Sequence, residues 1–515
     1  MSEEFDVLIL GAGMGASAFA SRLAGRGLSI CLVDRGAALK QAPENWDPDE
    51  VISRGRYDPP DQWYDGSDRP FLPRVYYNLG GSSKFFGATS FRLREADFNG
   101  RNYREGKTEP WPISYADLAP WYDLAERAMW VHGQAGSDPT EPPRGDFPYP
   151  PLEHEDAIAW LSERLSAQGL QPFPLPIAVN QGPGGHCRKG SPCDGFPCKI
   201  RAKGDAENAF LRPALRRDRS IDLRTNLRVE QLILDDSGKR VVGVEAVKVT
   251  VATEHGRAVE QPGERVQLRA GTVVLAAGTV NSATILLRSS HPRHQRGVAN
   301  RSGAVGRHFM SHNNTVLMAL HPLRRNPTWF QKTMAINDFY SGGGNIQMRG
   351  KVLPQNLQRS GTTVMRRFAK AIAERSFDFW VMSEDLPDAE NRVELRADGS
   401  IRLTRRLNNL GIHDKLVTDL SRHLRRAGLP IVLRRPPTAS AIQHQVGTLR
   451  MGHDPERSVV APDGCAHDLE NLYIVDGSVF PSSAAVNPAL TIAANALRVA
   501  DIVAGRLGAS PPPEA

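Results

Sequence analysis

The amino-acid sequence predicts an α/β protein in which a Rossmann-like domain is interrupted by a second domain. At the N-terminus an apolar strand, a glycine-rich turn, a helix and a second strand follow one another within about 30 residues, the length of a βαβ unit. The composition then changes: residues 310–440 carry strand-like segments and arginine-rich stretches, and Gly, Asp, Asn and Ala return after Ile442. We therefore expect a discontinuous nucleotide-binding domain with an inserted substrate-binding region.

The predicted boundaries follow these changes in pattern. The nucleotide-binding domain is expected over residues 1–100, 200–310 and 441–509, and the substrate-binding or cap regions over 101–199 and 311–440. The apolar periodicity and the Pro- and Gly-rich breaks predict helices over residues 114–131, 153–168 and 490–507. Residues 40–75 lack periodicity and are predicted to form a long surface excursion, and residues 510–515 a disordered tail.

Composition and charge limit the class of protein. The hydrophobic fraction of 40% and the charged fraction of 23% are ordinary for a globular protein. Lys and Arg number 64 against 57 Asp and Glu, but the surplus is scattered among apolar residues, so nucleic-acid binding is not expected. No export signal precedes the first strand, no apolar run approaches the roughly 20 residues that span a bilayer, and the five cysteines are too few for a disulfide scaffold. These observations favour a cytoplasmic protein without a membrane span.

The first turn carries a dinucleotide-binding pattern. Gly11 permits a tight turn, Gly13 lets the backbone approach a pyrophosphate, and the small residue Ala16 allows close packing of the helix on the sheet. Asp34 ends the second strand, where a carboxylate can accept hydrogen bonds from ribose hydroxyls and would repel a 2′-phosphate. We assign six residues to the cofactor site: Gly11, Gly13, Gly15, Ala16, Asp34 and Arg35. The pattern alone does not choose between FAD and NAD, and a glycine-rich turn that binds nothing is the alternative.

Further motifs resemble those of the glucose–methanol–choline (GMC) oxidoreductases. The first three are a Gly-rich loop at residues 80–87, a strand with Val229 at residues 228–230, and the end of another strand at residues 276–282. The other three are C-terminal segments at residues 443–448, 471–478 and 486–491. The resemblance runs from residue 5 to residue 505. It departs at Phe86, where many relatives have Asn, and at Ala283, where Pro or Ser is usual.

This resemblance implies FAD as the cofactor and a fold like that of p-hydroxybenzoate hydroxylase, with an α+β substrate domain built on an antiparallel sheet. It extends the cofactor site to Gly80, Gly81, Ser82, Ser83, Gly87, Val229, Ala277, Gly278, Asp476, Gly477, Asn487 and Pro488. The Asp476 carboxylate or the amides beside it are expected near the ribityl chain or the phosphates.

The resemblance also implies the catalytic residues of an alcohol oxidation. His444 matches the base and Asn487 its hydrogen-bonding partner. A neutral imidazole, with a reference pKa near 6.5, can take the hydroxyl proton at neutral pH. If His444 is not the base, His312 or His308 is next in line, and His453 and His467 are expected to be structural.

Within the family the sequence is similar to bacterial members that oxidise a sugar or glycoside, which predicts such a small-molecule substrate. Between residues 347 and 391 the candidate contacts are Gln347, Arg349, Trp380, Glu384, Asp385 and Asn391, although a solvated strand surface has the same composition. An aminoglycoside, a polyol or a choline-like alcohol is an alternative substrate. A redox-neutral lyase and a regulator without chemistry are further alternatives. The electron acceptor (oxygen, a quinone or a protein) stays open.

Three cysteines, Cys187, Cys193 and Cys198, lie within twelve residues. Their spacing contains no CxxC pair, which zinc and four-iron sites usually show, so no metal is expected. A packed cysteine loop and a reversible disulfide are the alternatives that remain.

Overall fold

The computed structural model describes residues 4–511 apart from 183, 191 and 255–256. Its larger sheet has six strands in a continuous order and a seventh that pairs parallel to the fourth. In order across the sheet these are Asp222–Arg224, Ile30–Val33, Glu4–Leu10, Arg257–Leu275, Val241–Glu254 and Leu227–Leu234, with Leu472–Ile474 as the seventh.

The parallel part of this sheet forms the centre of the larger core. Strand Ile30–Val33 is buried along its whole length, as expected for a strand covered on both faces. Strand Arg257–Leu275 serves two roles: its end pairs parallel with Glu4–Leu10, and its beginning pairs antiparallel with Val241–Glu254. The predicted α/β fold and its βαβ unit are therefore confirmed.

A second sheet of six antiparallel strands forms the other half of the molecule. Its order is Ile431–Arg435, Asn313–Leu320, Ser376–Ser383, Gly344–Met348, Met334–Ile336 and Pro172–Pro174. Helices Asp156–Ser166 and Leu410–Arg426 bury their apolar residues on one face. The opposite face packs partly against three short helices, Pro354–Ser360, Thr363–Arg367 and Ala369–Ala373. The rest of that face borders a large cavity.

The segment over residues 40–75 is packed more closely than a surface excursion. Trp63 is fully buried, and the strand that begins there, Trp63–Asp65, pairs with Ile401–Thr404. The ring of Tyr76, just beyond, stacks on Phe85 with centroids 3.9 Å apart. Tyr57 and Tyr76 both border the cavity, so the segment forms part of its wall. Its aromatic residues explain the difference, because they bury enough apolar area to hold an aperiodic chain against the core.

The predicted helices shift by a few residues at their ends. The helix predicted over residues 114–131 is Tyr115–Ala128, capped by the Ser114 side chain, which accepts a hydrogen bond from the Asp117 N–H. The helices predicted over 153–168 and 490–507 are Asp156–Ser166 and Ala489–Arg506. Of the predicted tail, Ser510 is hydrogen-bonded to Arg26 through main-chain and side-chain groups, and residues 512–515 lie outside the described part.

The remaining elements connect the two halves. The other α-helices are Met14–Leu23, Glu95–Phe98, Arg212–Arg217 and Thr279–Arg288. Short 3₁₀ or π turns are Pro43–Trp46, Asp49–Ser53, Gly81–Lys84, Glu207–Leu211, Tyr340–Gly342 and Gly477–Val479. Short strands are Trp63–Asp65, Pro70–Phe71, Asn102–Tyr103, Gly106–Lys107, Val131–His132, Ile177–Ala178, Arg392–Leu395 and Ile401–Thr404. Across the described ranges, no helix is long and apolar enough to cross a bilayer.

Candidate active site

A cavity of about 800 Å³ lies between the two sheets. Leu10, Val33 and Ala276, at the carboxyl ends of parallel strands, line one end. Trp380 and Gln347 of the antiparallel sheet line the other. The carboxyl edge of a parallel sheet is where such folds bind their ligands, so the cavity joins a nucleotide end to a substrate end.

The glycine-rich turn forms the wall of the nucleotide end. Gly11 has φ of +110°, and a Cβ there would lie 2.4 Å from the Ala276 carbonyl oxygen. At Gly13 a Cβ would meet no protein atom within 4 Å and would instead project into the cavity. Gly13 also caps helix Met14–Leu23, whose N-terminus therefore opens on the same space. The cavity offers a pyrophosphate this free space, open N–H groups and positive helix potential.

Gly15 and Ala16 hold the helix against the sheet. A Cβ at Gly15 would lie 2.1 Å from the Val475 carbonyl oxygen, so close packing depends on Gly15 as well as on the small residue next to it. Ala16 is fully buried and does not line the cavity. Ala16 thus has the packing role that the sequence predicted for it, and it belongs to the cofactor site through that packing and not through a contact with the cavity.

Asp34 and Arg35 lie at the end of the second strand, on the cavity wall. The Asp34 carboxylate accepts hydrogen bonds from the N–H groups of Ala12 (2.7 Å) and Gly36 (2.8 Å), and burial raises its pKa to about 6. Each carboxylate oxygen keeps a further lone pair for a ligand hydroxyl. The Arg35 guanidinium is paired with Asp61 and Glu260, both at 2.6 Å, so it joins the wall segments together.

The loop over residues 80–87 contributes unequally to the cavity. Gly81, Ser82, Ser83 and Gly87 line it, whereas Gly80 lies behind them. The Ser83 hydroxyl donates to the Gly80 carbonyl and accepts from the Ala206 N–H, so it stabilises the loop. The predicted contact at Gly80 is corrected: its φ of +88° and its close approach to the Lys84 side chain give it a conformational role.

The C-terminal motifs close the cavity from the other side. Val229, Ala277, Gly278, Gly477 and Pro488 all line it. A Cβ at Gly278 would meet nothing within 4 Å, which leaves room for a ligand there as at Gly13. Pro488 immediately precedes helix Ala489–Arg506, so a second helix N-terminus faces the cavity.

Asp476 also borders the cavity, but its carboxylate is engaged within the protein. One oxygen accepts from the Gly278 N–H (2.8 Å) and the Ser282 hydroxyl, and the other accepts from the Ser478 N–H (2.9 Å) and hydroxyl. The carboxylate therefore ties the end of a parallel strand to the turn after residue 476. The neighbouring main chain, rather than the carboxylate, is free to face a ligand.

Two histidines and one asparagine form a hydrogen-bonded chain, and two of the three, His444 and Asn487, line the cavity. His444 Nδ1 lies 3.0 Å from His312 Nδ1, and His444 Nε2 lies 3.3 Å from Asn487 Nδ2. His312 Nε2 lies 3.1 Å from the Ser483 carbonyl oxygen. His444 adopts φ of +60°, in the left-handed region that non-glycine residues seldom occupy outside strained sites.

This chain fixes the tautomer of both rings. Burial lowers the pKa of His312 to about 4, and burial together with His312 lowers that of His444 to about 3, so both are neutral at pH 7. The Ser483 carbonyl can only accept, so His312 carries its hydrogen on Nε2 and a lone pair on Nδ1. His444 must then donate from Nδ1. Its Nε2 is left with a lone pair, which accepts from the Asn487 amide at the cavity surface.

The other predicted histidines lie away from this chain. His308 does not line the cavity; burial lowers its pKa to about 4, and its Nδ1 has no partner among the described residues. His467 accepts from or donates to the Ser458 hydroxyl at 2.9 Å, and His453 is exposed. His312, which sequence reasoning ranked only as a substitute base, contacts His444 directly.

At the substrate end the structure separates the predicted contacts into two groups. Gln347, Arg349 and Trp380 line the cavity, and Gln347 Oε1 is buried without a partner among the described residues. Glu384 and Asn391 do not line it, and their assignment as substrate contacts is corrected.

These excluded side chains are used inside the protein. The Glu384 carboxylate accepts from the Tyr103 hydroxyl and the Ala484 N–H, and burial raises its pKa to about 7. Asn391 bridges the main-chain N–H and carbonyl of Arg406. Asp385, which also lies outside the lining, accepts from the Ser311 N–H and pairs with Arg405 at 3.2 Å.

Sequence reasoning missed Lys332 and Asp194, which line the cavity beside Gly87. The Lys332 ammonium donates to the Gly87 carbonyl. Asp194 lies between Cys193 and Cys198. The one sequence signal that could have identified it as a cavity residue is therefore an acidic residue within a cluster of cysteines. Lys332 lies in a segment without a recognisable motif.

The three cysteines beside Asp194 are free thiols. Burial raises the pKa of Cys187, and Cys198 Sγ accepts from the Ala202 N–H at 3.2 Å. Within the described part of the chain, no group of three His, Cys, Asp or Glu side chains is placed to hold a metal ion.

Comparison with known proteins assigns the chain to a family. Two GMC oxidoreductase family models match residues 167–314 and 418–496. The chain is 31% identical to the 6'''-hydroxyparomomycin C oxidase of Streptomyces lividus and 31% identical to the paromamine 6'-oxidase of Streptomyces fradiae. Each match covers 98% of this chain and 92% of the relative. Its fold is similar to that of pyridoxine 4-oxidase from Mesorbium loti, with a TM-score of 0.66 at 18% identity, covering 96% of this chain and 98% of that one.

The cavity fits the FAD that this family binds. Gly13 and Gly278 leave open space where a cofactor can approach, and Asp34 offers lone pairs at the nucleotide end. Asn487 Oδ1 is buried without a partner among the described residues, as expected of an atom that awaits a ligand. The chain belongs to the GMC oxidoreductases and is an FAD-dependent oxidoreductase of alcohols.

Proposed function

We propose that this enzyme oxidises a secondary hydroxyl of a sugar or glycoside and that His444 is the base. The observation that carries the proposal is the hydrogen-bonded chain from the Ser483 carbonyl through His312 and His444 to Asn487. The bound FAD supplies the hydride acceptor, N5 of its isoalloxazine. The residues of the chain position the alcohol and take its proton.

The lone pair of His444 Nε2 is the proton acceptor in this scheme. It faces the cavity and, among the described residues, accepts a hydrogen bond only from the Asn487 amide, so a hydroxyl can share or replace that contact. When Nε2 takes the proton, Nδ1–H keeps its bond to His312, and a charge-assisted bond of this kind is roughly twice as strong as a neutral one. This hydrogen bond therefore offsets part of the cost of burying the imidazolium, the cost that lowers the pKa of His444.

Asn487 is the second group expected to touch the reacting oxygen. Its amide nitrogen already points at His444 Nε2, and its Oδ1 has no partner in the described protein. An amide that donates to the substrate oxygen stabilises the negative charge that develops as the proton leaves. Asn487 cannot itself act as a base, so the two roles stay separate.

The substrate end supports a carbohydrate. Trp380 offers an aromatic face, and Gln347 and Asn314 each have a buried amide oxygen without a partner among the described residues. Sugar hydroxyls need such partners because each one buried unpaired costs about 1–3 kcal/mol. The two relatives named for paromamine and hydroxyparomomycin give an aminoglycoside as the second candidate substrate.

The test is anaerobic flavin reduction across a panel of sugars, glycosides, aminoglycosides, choline and simple alcohols. We expect a pyranose or glycoside to reduce the flavin fastest and His444→Ala to slow this step by about two to four orders of magnitude with FAD retained. His453→Ala, at an exposed histidine, is the matched control. Unchanged reduction in the His444→Ala variant would place the base elsewhere, and a simple alcohol as the best substrate would contradict the sugar assignment.

A further inference from the structure

Several side chains on the cavity-facing side of the antiparallel sheet form one row. Val316 lies opposite Trp380 on one neighbouring strand and opposite Arg435 on the other. Gln347 lies opposite Trp380 on the next strand. Residues opposite one another share a face, as do residues two apart on a strand, so Arg349 lies on the same face as Gln347. All five line the cavity.

Arg349 is a buried cation that forms no close ion pair with a carboxylate of the described residues. Its residue is only 9% exposed, and its guanidinium carbon lies 4.4 Å from the centroid of the Trp380 ring. Its Nε has no hydrogen-bond partner, and no carboxylate of the described residues pairs with it within 4 Å. A buried guanidinium is costly unless acceptors surround it, so this position is suited to a ligand that brings them.

The nearby carboxylate does not fill this need. Asp194 accepts from the Trp380 indole N–H at 3.4 Å and from the Gly350 N–H at 3.2 Å. Burial by itself would raise the pKa of the Asp194 carboxyl. The positive charges of Lys332 and Arg349 outweigh burial, so the pKa of Asp194 lies below its usual value. Asp194 therefore stays ionised and balances part of the local positive charge.

Two more arginines add to the excess. Burial lowers the pKa of Arg435, and the positive charges of Arg349 and Arg74 lower it further. Arg435 and Arg74 also line the cavity, and neither has a carboxylate within ion-pair distance in the described part of the chain. Arg359, a neighbour on the wall, is already paired with Asp58 at 2.6 Å. The substrate end of the cavity thus carries a net positive charge.

We propose that Arg349 and Arg435 bind an oxyanion on the substrate, so that the enzyme acts on a sugar or glycoside that bears a carboxylate or a phosphate. The inference rests on the proposed function and narrows its substrate class. Planar guanidinium groups match such oxyanions through paired N–H donors. The same positive charge opposes an aminoglycoside with several ammonium groups, even though two relatives are named for such compounds.

The experiment compares matched substrates on the FAD-loaded enzyme. Anaerobic flavin reduction is followed with methyl glucoside, methyl glucuronide, glucose, glucose 6-phosphate and glucosamine. We expect at least one acidic sugar to half-saturate flavin reduction at a concentration about tenfold or more below that of its neutral partner, methyl glucoside for methyl glucuronide and glucose for glucose 6-phosphate. Glucosamine should need the highest concentration of the five. Added salt is expected to reduce this preference, because charge screening weakens the attraction.

Variants separate the subsite from the rest of the enzyme. Arg349→Met and Arg435→Met should each remove most of the preference for the acidic sugar, measured as the ratio of the half-saturating concentrations of the neutral and the acidic partner. Arg349→Lys should retain part of the preference and covers the case in which Arg349→Met does not fold. Arg422→Met, on the exposed side of helix Leu410–Arg426, is the charge-matched control.

The outcomes are distinguishable. If neutral and acidic sugars are used equally well, or if Arg349→Met leaves the preference intact, the subsite is refuted and the sugar oxidation stands. If no sugar reduces the flavin while another alcohol does, the proposed function itself is refuted. A preference for carboxylate over phosphate, or the reverse, identifies the oxyanion.

Discussion

Substitution of His312 tests the tautomer on which the proposed mechanism depends. His312 is fully buried, and its Nδ1 is the acceptor for His444 Nδ1–H at 3.0 Å. In His312→Asn the amide oxygen can occupy nearly the position of Nδ1 and can keep that acceptor. In His312→Gln the amide reaches the position of Nε2 and can keep only the bond to the Ser483 carbonyl. The two variants thus separate the two hydrogen bonds of one ring.

The expected magnitude follows from the burial of this pair. A buried N–H without its partner costs about 1–3 kcal/mol. Each 1.36 kcal/mol changes a rate constant tenfold, so this range corresponds to a roughly five- to 150-fold lower rate constant of flavin reduction, if the bond is needed when His444 takes the proton. We expect His312→Gln to lose flavin reduction within this range and His312→Asn to lose several-fold less. His444 in the Gln variant is free to carry its hydrogen on Nε2, which removes the lone pair from the cavity side.

The assay is stopped-flow flavin reduction without oxygen, which separates the reduction rate constant from the substrate dissociation constant. A role for His312 in positioning His444 predicts that the rate constant falls while substrate binding changes little. Equal rate constants for the Asn and Gln variants would refute the tautomer argument, because only one of them retains an acceptor for His444 Nδ1–H. Thermal unfolding of both variants, measured with FAD bound, controls for a general loss of stability.

Three further predictions follow from the cavity. Gly13→Leu should bind FAD poorly and give a colourless protein, since its side chain projects into the free space at that position; retention of the flavin spectrum would contradict this. The pKa of His444 is lowered to about 3 and that of His312 to about 4, so both rings stay neutral well below pH 7. The flavin-reduction rate should therefore stay level from about pH 8 to pH 5 and fall only as the pH approaches these pKa values. An inflection near 6.5, the reference pKa of histidine, would contradict this prediction and show that the holoenzyme restores an ordinary pKa. Trp380→Ala should weaken the preference for a pyranose over benzyl alcohol in the same reduction assay, and an unchanged ratio would remove Trp380 from the substrate site.

Features set by adjacent residues could be predicted from the sequence. The turn from Gly11 to Gly13 and the acidic end of the next strand lie within one βαβ unit, so a local pattern carries them. The predicted packing role of Ala16 agrees with its full burial, but the sequence did not show that Gly15 shares this role. A Cβ at Gly15 would lie 2.1 Å from the Val475 carbonyl oxygen, so close packing requires glycine there. That requirement depends on a strand end more than four hundred residues away in sequence, which no local pattern reveals.

Polar residues of the inserted domain were harder to assign, for a physical reason. Glu384 and Asn391 have the composition of sugar contacts, but each satisfies main-chain groups of a packed turn. A buried main chain needs such partners as much as a ligand does, so composition cannot separate the two uses. The structure makes the distinction through position together with unpartnered atoms. Gln347 and Arg349 line the cavity and have buried atoms without a partner in the described protein, whereas Glu384 neither lines the cavity nor has such an atom.

The segment from Ser483 to Asn487 joins the proposed base, His444, to both halves of the molecule. Its Ser483 carbonyl sets the tautomer of His312, and its Asn487 amide meets the lone pair of His444. The segment is held from the substrate side, because the Ala484 N–H donates to Glu384 at 2.8 Å and the Ser483 hydroxyl donates to the Asp385 carbonyl at 3.1 Å. Glu384 thus contributes to the site without touching the cavity. A change in the antiparallel sheet can therefore reach the proposed base His444 through the same short segment that carries Asn487, and the buried Glu384 carboxylate at the sheet end supports that segment.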